Sequence, residues 1–198
     1  MICNSLTAND LNNIVKIHLE SFPNFFLSSL GPKFLSKFYK SILLDKNGVG
    51  IGLFDNGELK GFAIGTKNKL GFYRNIIKNN LFSFSIIFIF ILFKTPLKLA
   101  KIIRNLYMSS MPNSKQSIIP FLLSICIQPH ESGKGLGKTI IKCFEDKMVS
   151  FGIKELFLTT DAENNEYTNL FYKRNNYKVE NIFLQGKRKM ILYYKKLS

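Results

Sequence analysis

Thiol and imidazole groups are scarce in this chain: its 198 residues include three cysteines, Cys3, Cys126 and Cys143, and two histidines, His18 and His130. The cysteines are odd in number, far apart and never in a CxxC or CxH spacing, which argues against a disulfide framework and a zinc site. Two isolated histidines are too few for another metal centre. No metal is therefore expected, and unpaired thiols fit a reducing cytoplasm. The N-terminus, Met1-Ile2-Cys3-Asn4-Ser5, lacks the charged region, apolar stretch and small-residue cleavage site of a signal peptide, so a cytoplasmic location is expected. Acidic residues are also few: 13 stand against 28 lysines and arginines, a formal net charge of +15. Such a surface attracts phosphates, nucleic acids and anionic membranes.

Apolar residues make up 46% of the chain and charged residues 21%, enough to offset the entropy of ordering. A chain of this length suits one domain, 1–198, that buries roughly 70% of its unfolded surface. Thr7-Ala8-Asn9-Asp10 caps a first helix with Leu11, Ile14, Val15, His18 and Leu19 at helical spacing. Gly31-Pro32 opens a second, with Phe34, Leu35, Phe38, Tyr39, Ile42 and Leu43 on its buried stripe. Gly48 to Phe54 and Leu59 to Thr66 flank Asn56-Gly57 and read as a hairpin. Phe121 to Ile127 is a buried strand and Lys138 to Ser150 a helix stopped by Gly152. Leu156 to Thr160 is a strand, Glu166 to Arg174 a helix, and Val179 to Phe183 with Met190 to Tyr194 a closing hairpin. The order predicts an α/β fold of α+β type, with a mixed, mostly antiparallel central sheet flanked by helices.

Between the third and fourth strands, residues 70–117 form an insertion whose run Asn79 to Phe93 carries no charge. It is short for a span, which needs about 17 to 25 apolar residues. A packed helical excursion is expected, with peripheral membrane contact through residues 79–104 as the alternative, because Arg74, Lys78, Lys94, Lys98, Lys101 and Arg104 bracket the run. Elsewhere the lysines are spread along the chain and the aromatics fall in core patterns, which speaks against a nucleic-acid partner.

The chemistry concentrates in Ser132-Gly133-Lys134-Gly135-Leu136-Gly137-Lys138-Thr139, a glycine-rich turn between an apolar strand and an amphipathic helix. Successive backbone amides and the positive end of the helix converge there on an anion, and Lys134 and Lys138 add charge. The nucleotide P-loop pattern fails by one residue, because Ser132 occupies its first glycine position. Only about sixty residues follow the turn, too few for the remaining parallel units of such a fold.

The run Ile125 to Gly137 resembles the cofactor motif of the GNAT superfamily of N-acetyltransferases. Farther on, Asn165 to Tyr177, with Phe171-Tyr172 at its centre, looks like that family's second motif. Two departures stand out: Ser132 replaces the usual arginine or glutamine, and Asn176 the usual glycine. Asparagine is the residue that best tolerates the left-handed conformation needed at such a helix exit.

The resemblance implies a GNAT-like fold and acetyl-CoA as cosubstrate. Its pyrophosphate would lie on Ser132, Gly133, Lys134, Gly135, Leu136, Gly137 and Lys138, its pantetheine arm beside Cys126, Ile127 and Gln128, and Asn165 would contact it, against a plain helix-capping reading. Tyr172 is the implied general acid for the leaving thiolate, against a plain core-aromatic reading. The resemblance implies no single base: Glu20, near the expected acceptor cleft, is the first candidate, Asp161 and Glu163 beside that cleft are the others, and ordered water often takes the role in this family. The expected partner is a small-molecule primary amine. Ser21-Phe22-Pro23 with Phe25 to Gly31 resembles the N-terminal segment of GNAT proteins of surface-polysaccharide synthesis, so an amino sugar is the first candidate. A protein or peptide amine and a non-catalytic membrane-binding module are the alternatives. Oligomeric state is left open, a homodimer included.

Overall fold

The computed structural model describes residues 1–25, 27–69, 72 and 119–198. The elements run β1 (Ile2–Ser5), α1 (Leu11–Ser21), α2 (Pro32–Leu44), β2 (Gly48–Asp55), β3 (Glu58–Thr66), β4 (Phe121–Ile127), α3 (Leu136–Ser150), β5 (Glu155–Asp161), α4 (Glu166–Arg174), β6 (Lys178–Gln185) and β7 (Arg188–Lys196). The strands form one seven-stranded sheet in the order β1-β2-β3-β4-β5-β7-β6. Every neighbouring pair is antiparallel except β4 and β5. The mixed, mostly antiparallel sheet expected from the sequence is therefore present, and 70–117 falls between β3 and β4. The expected helix and membrane contact at 79–104 lie outside the described residues.

Each face of the sheet is covered by helices. On one side Ile14 and Ile17 of α1 and Leu35, Tyr39 and Ile42 of α2 pack with Phe62 and Ile64 of β3. On the other, Ile140, Phe144 and Met148 of α3 and Tyr172 of α4 pack with Ile51, Leu53, Leu122, Leu158 and Tyr193. The caps follow the local chemistry. Thr7 and Asp10 form a capping box, in which the Asn9 amide donates to Thr7 Oγ1 at 3.2 Å and the Thr7 amide to Asp10 Oδ2 at 2.8 Å.

Two features depart from the sequence reading. β1 has no counterpart there: it pairs antiparallel with β2 from Ile2↔Phe54 to Ser5↔Ile51, but its side chains are mostly exposed and leave no apolar alternation to read. The second is a correction. Cys3 and Cys143 are joined as a disulfide across 140 residues, tying β1 to α3, and only Cys126 is free. Spacing along the chain carries no information about a pair that the fold brings to a Cα separation of 6.4 Å. The expectation of three free thiols, and the reducing compartment drawn from it, loses its basis.

Candidate functional site

β4 and β5 pair only at Phe121↔Phe157 and Leu122↔Leu158. Beyond Leu122 the edge of β4 that faces β5 has no strand partner among the described residues, while its other edge stays bonded to β3 as far as Ile127. The parting coincides with a bulge. Consecutive β3 residues Ile64 and Gly65 face Ser124 and Leu122, so Leu123 is the extra residue. A bulge bends the strand and shifts the alternation of its side chains. Leu122 accordingly packs with the α3 and α4 side, whereas Ser124, two residues on, bonds Tyr39 of α2 on the opposite side. The result is a gap flanked by an open β-edge, able to take one more extended strand by main-chain hydrogen bonds.

At the end of β4 the glycine-rich turn leads into α3. Gly133 and Gly135 have φ of +81° and +79°, and a Cβ at either would meet nothing within 4 Å. Their role is thus conformational: they take a left-handed backbone that other residues adopt only at a cost. Gly135 caps α3 without a side-chain bond, and the Lys138 and Thr139 amides both donate to its carbonyl. The amides of Gly133 to Gly137 donate no hydrogen bond among the described residues. These free donors, the helix dipole and the exposed Lys138 have the chemistry to hold an anion. Lys134 contributes less charge than its sequence position implies, since its ammonium lies 2.7 Å from Glu131 and holds that carboxyl below the usual carboxylate range. Lys60 and His130 each lie 3.7 Å from the same carboxylate.

The remaining predicted residues fall as follows. Cys126 is buried against the α1 and α2 core, and burial pushes its thiol up to about 12, which makes it a poor nucleophile. Ile127 accepts a 3.0 Å hydrogen bond at its carbonyl from Ser21 Oγ, which pins the end of α1 over the end of β4. Gln128 turns toward β3: its side chain donates to Glu58 at 3.3 Å and its amide to the Lys60 carbonyl at 2.9 Å. Ser132 is exposed with extended backbone at the mouth of the turn. Asn165 does not cap α4 through its side chain; its amide nitrogen reaches back to Thr160 Oγ1 at 2.7 Å and the Asp161 carbonyl at 3.2 Å. Glu20 is exposed on α1, two residues past His18 and so nearly half a helical turn away from it. Asp161 is engaged by Arg188 through two contacts, of 2.8 and 2.6 Å, and Arg188 stands over the ring of Phe25; Glu163 is exposed.

Tyr172 is 6% exposed and held by the rings of Phe171, Tyr177 and Tyr193 at 5.2 to 5.7 Å. Burial, reinforced by Cys126 and Tyr193, pushes its hydroxyl well above the usual tyrosine range. It stays protonated through neutral pH, and its hydroxyl has no hydrogen-bond partner among the described residues, as a proton donor awaiting an acceptor requires.

Sequence reasoning missed a buried polar chain on the other side of β4. His18 Nδ1 lies 2.7 Å from the Tyr39 hydroxyl, which is 3.3 Å from Ser124 Oγ, itself 3.6 Å from the Cys126 sulfur. The one available signal was Ser124, a lone hydroxyl in the apolar run Phe121 to Ile127. Asn169, which donates to the Asp161 carbonyl at 3.0 Å and accepts from Tyr193 at 3.2 Å, was missed too.

Residues 103–177, which contain the glycine-rich turn and α4, match the model of the Acetyltransferase (GNAT) family. No curated protein sequence matches the chain. The fold is shared with solved structures of low identity. A ribosomal-protein-alanine N-acetyltransferase from Brucella melitensis is 10% identical, with all of both chains covered and a TM-score of 0.64. The PaiA N-acetyltransferase from Thermoplasma acidophilum, solved in complex with coenzyme A, is 17% identical over 99% of both chains, with a TM-score of 0.60. An aminoglycoside 6′-acetyltransferase type Ii is 13% identical over 99% of this chain and 97% of its own, with a TM-score of 0.63.

Proposed function

We propose that this chain, whose residues 103–177 match the acetyltransferase (GNAT) family model, moves acetyl from acetyl-CoA to a primary amine of a small molecule, by direct attack on the thioester. The observation that carries the reading is the parting of β4 from β5 after Leu122, with β4 then leading through the glycine-rich turn into the N-terminus of α3, which has no side-chain cap. The open edge from Ser124 to Ile127 takes the extended pantetheine arm as an added strand, and the amides of Gly133 to Gly137 take the pyrophosphate. A free amide on that edge polarises the thioester carbonyl.

Tyr172 protonates the leaving thiolate. Its hydroxyl carries a proton at working pH; burial raises its pKa and so makes it a weaker acid, and the role rests on its place in α4 rather than on that shift. Asn165 and Asn169 hold the start of α4 against the end of β5 and thereby set where Tyr172 stands. The acceptor enters from the side of α1, whose C-terminus Ser21 fastens to β4. Among primary amines an amino sugar comes first. The likeness of Ser21 to Gly31 to proteins of surface-polysaccharide synthesis supports this, as does an aminoglycoside acetyltransferase among the proteins that share the fold.

Calorimetric titration with acetyl-CoA, with desulfo-CoA and ATP as controls, tests the cosubstrate. Saturable binding of both CoA species and none of ATP is expected. Thiol release is then followed over a panel of amino sugars, polyamines and peptides with free N-termini. Turnover confined to peptides would overturn the small-molecule acceptor, and no acetyl-CoA binding at millimolar concentration would overturn the function. Tyr172→Phe should keep acetyl-CoA affinity and lose on the order of 100-fold in kcat.

A further inference from the structure

Transfer of acetyl to an amine needs two proton movements, one onto the departing sulfur and one away from the attacking nitrogen. Tyr172 serves the first from the α4 side of the sheet. On the opposite side, β4 beyond its bulge offers Ser124, the one hydroxyl of the strand, partly exposed and two residues past the point where β4 and β5 separate. Behind it stand Tyr39 at 3.3 Å and His18 at 2.7 Å from Tyr39, the latter 2% exposed. The chain therefore begins at the gap and ends on a buried imidazole. Tyr39 bonds Ser124 of β4 from one face of the sheet, and Tyr172 shares the core on the other face with Leu122 of the same strand.

The polarity of the chain is free to reverse. His18 Nε2 is buried and makes no hydrogen bond among the described residues, so none of them fixes from that side of the ring which nitrogen carries the hydrogen. In one sense Nδ1 donates to Tyr39 and Tyr39 to Ser124. In the other, Ser124 donates to Tyr39, Tyr39 donates to Nδ1, and Ser124 Oγ keeps its lone pairs for an incoming donor.

Resting on the acetyltransferase reading, we propose that Ser124, Tyr39 and His18 form the proton-accepting relay for the substrate amine, with Ser124 Oγ as the group that touches the nitrogen. As the N–C bond forms and the C–S bond breaks, the amine proton passes to Ser124 Oγ. The Ser124 hydroxyl proton moves to Tyr39 and that of Tyr39 to His18 Nδ1, while the Tyr172 proton goes to the sulfur. The products are the amide and CoA thiol; His18 then gives its proton back along the chain to solvent, and Tyr172 takes one up. In this relay Ser124 is a catalytic residue, and Tyr39 and His18 act through it.

The test is a double-mutant cycle on the full chain, with thiol release from acetyl-CoA as the signal and hydroxylamine, a small nucleophile that needs no fitted pocket, as acceptor. Acetyl-CoA affinity is measured by calorimetry and folding by thermal unfolding for every variant. Ser124→Ala and Tyr39→Phe should each lower kcat on the order of 100-fold, with acetyl-CoA affinity unchanged. The double variant should be no slower than either single one, because groups acting as one unit are non-additive. Ser124→Thr, which keeps the hydroxyl, should restore most of the rate. Full activity in Ser124→Ala, or multiplicative losses in the double variant, would overturn the relay. So would loss of rate in Glu20→Gln with none in Ser124→Ala, which would assign the proton to Glu20 instead. A wild-type chain that fails to bind acetyl-CoA would overturn the acetyltransferase reading itself, whereas binding and turnover with an indifferent Ser124→Ala would overturn the relay alone.

Discussion

Gly137, in the first turn of α3, lies against the ring of Phe171 in α4: a Cβ in its place would stand 3.2 Å from Phe171 Cε2 and 3.6 Å from Cζ. The glycine lets α3 and α4 approach closely at this point. Its neighbour is a ring, packed on Tyr172 at 5.2 Å, rather than the free end of a flexible chain. Gly137→Ala therefore asks the ring to give by a few tenths of an ångström and should cost about 1 kcal/mol. Gly137→Val should cost about 2 to 3 kcal/mol and displace α4. Urea unfolding measures both, and Tyr172-dependent turnover should fall faster along the series than acetyl-CoA affinity.

What could be read in advance was local. Asn56-Gly57 turns the β2–β3 hairpin with φ of 47° and 81°, and Asn176, with φ of 66°, ends α4 where glycine would be ordinary. At these positions side-chain identity and backbone conformation are linked within a few residues. What escaped was pairing across distance. His18 meets Tyr39 on another helix, Ser124 faces α2 only because the Leu123 bulge shifts the alternation of β4, and Cys3 finds Cys143 because β1 lies at the sheet edge near α3. No periodicity encodes a bulge, so the polar residues on the α1 and α2 side of β4 were invisible while the glycine-rich turn was plain. The role assigned to Lys134 shows the same limit, since its partner Glu131 becomes apparent only when the turn is folded.

Gly133 and Gly135 should separate binding from stability. Both have positive φ and open space at the Cβ position, so an alanine there meets no atom of the protein. Each Ala substitution carries only the left-handed backbone cost of about 1 to 2 kcal/mol. The methyl would nevertheless stand where an anion must approach the amides. Acetyl-CoA affinity by calorimetry should fall at least on the order of tenfold for Gly135→Ala, while the midpoint of unfolding moves by only a few degrees.

The Cys3–Cys143 bond closes a large loop and should contribute to stability chiefly through the unfolded chain. The chain-entropy relation gives about 5 kcal/mol for a loop of this size, and measured disulfides commonly give about 2 to 4 kcal/mol. Cys3→Ser should therefore unfold at lower denaturant than the oxidised wild type, and reductant should lower the wild type to match it. Thiol titration of the unfolded, unreduced protein should find one free thiol, Cys126, and three after reduction. Three thiols without reductant would show the bond unformed.

His18 should make stability fall on acidification. Burial lowers its pKa from 6.5 to about 4, so the folded protein holds the ring neutral where the unfolded chain would charge it. Protonation is then favoured in the unfolded state, and the stabilisation, fully present above about pH 6.5, is lost as pH falls toward 4. At 1.36 kcal/mol per unit the difference amounts to about 3 kcal/mol over that window. Carboxylates titrate nearby, so the informative quantity is a difference between proteins: the loss of unfolding free energy from pH 7 to pH 4.5, wild type minus His18→Gln. A steeper loss in the wild type is expected, by about 2 to 3 kcal/mol, because glutamine takes up no proton. Equal slopes would mean that His18 is charged or solvated in the folded state. The imidazole would then not be the neutral terminus that a proton-accepting chain through Tyr39 needs.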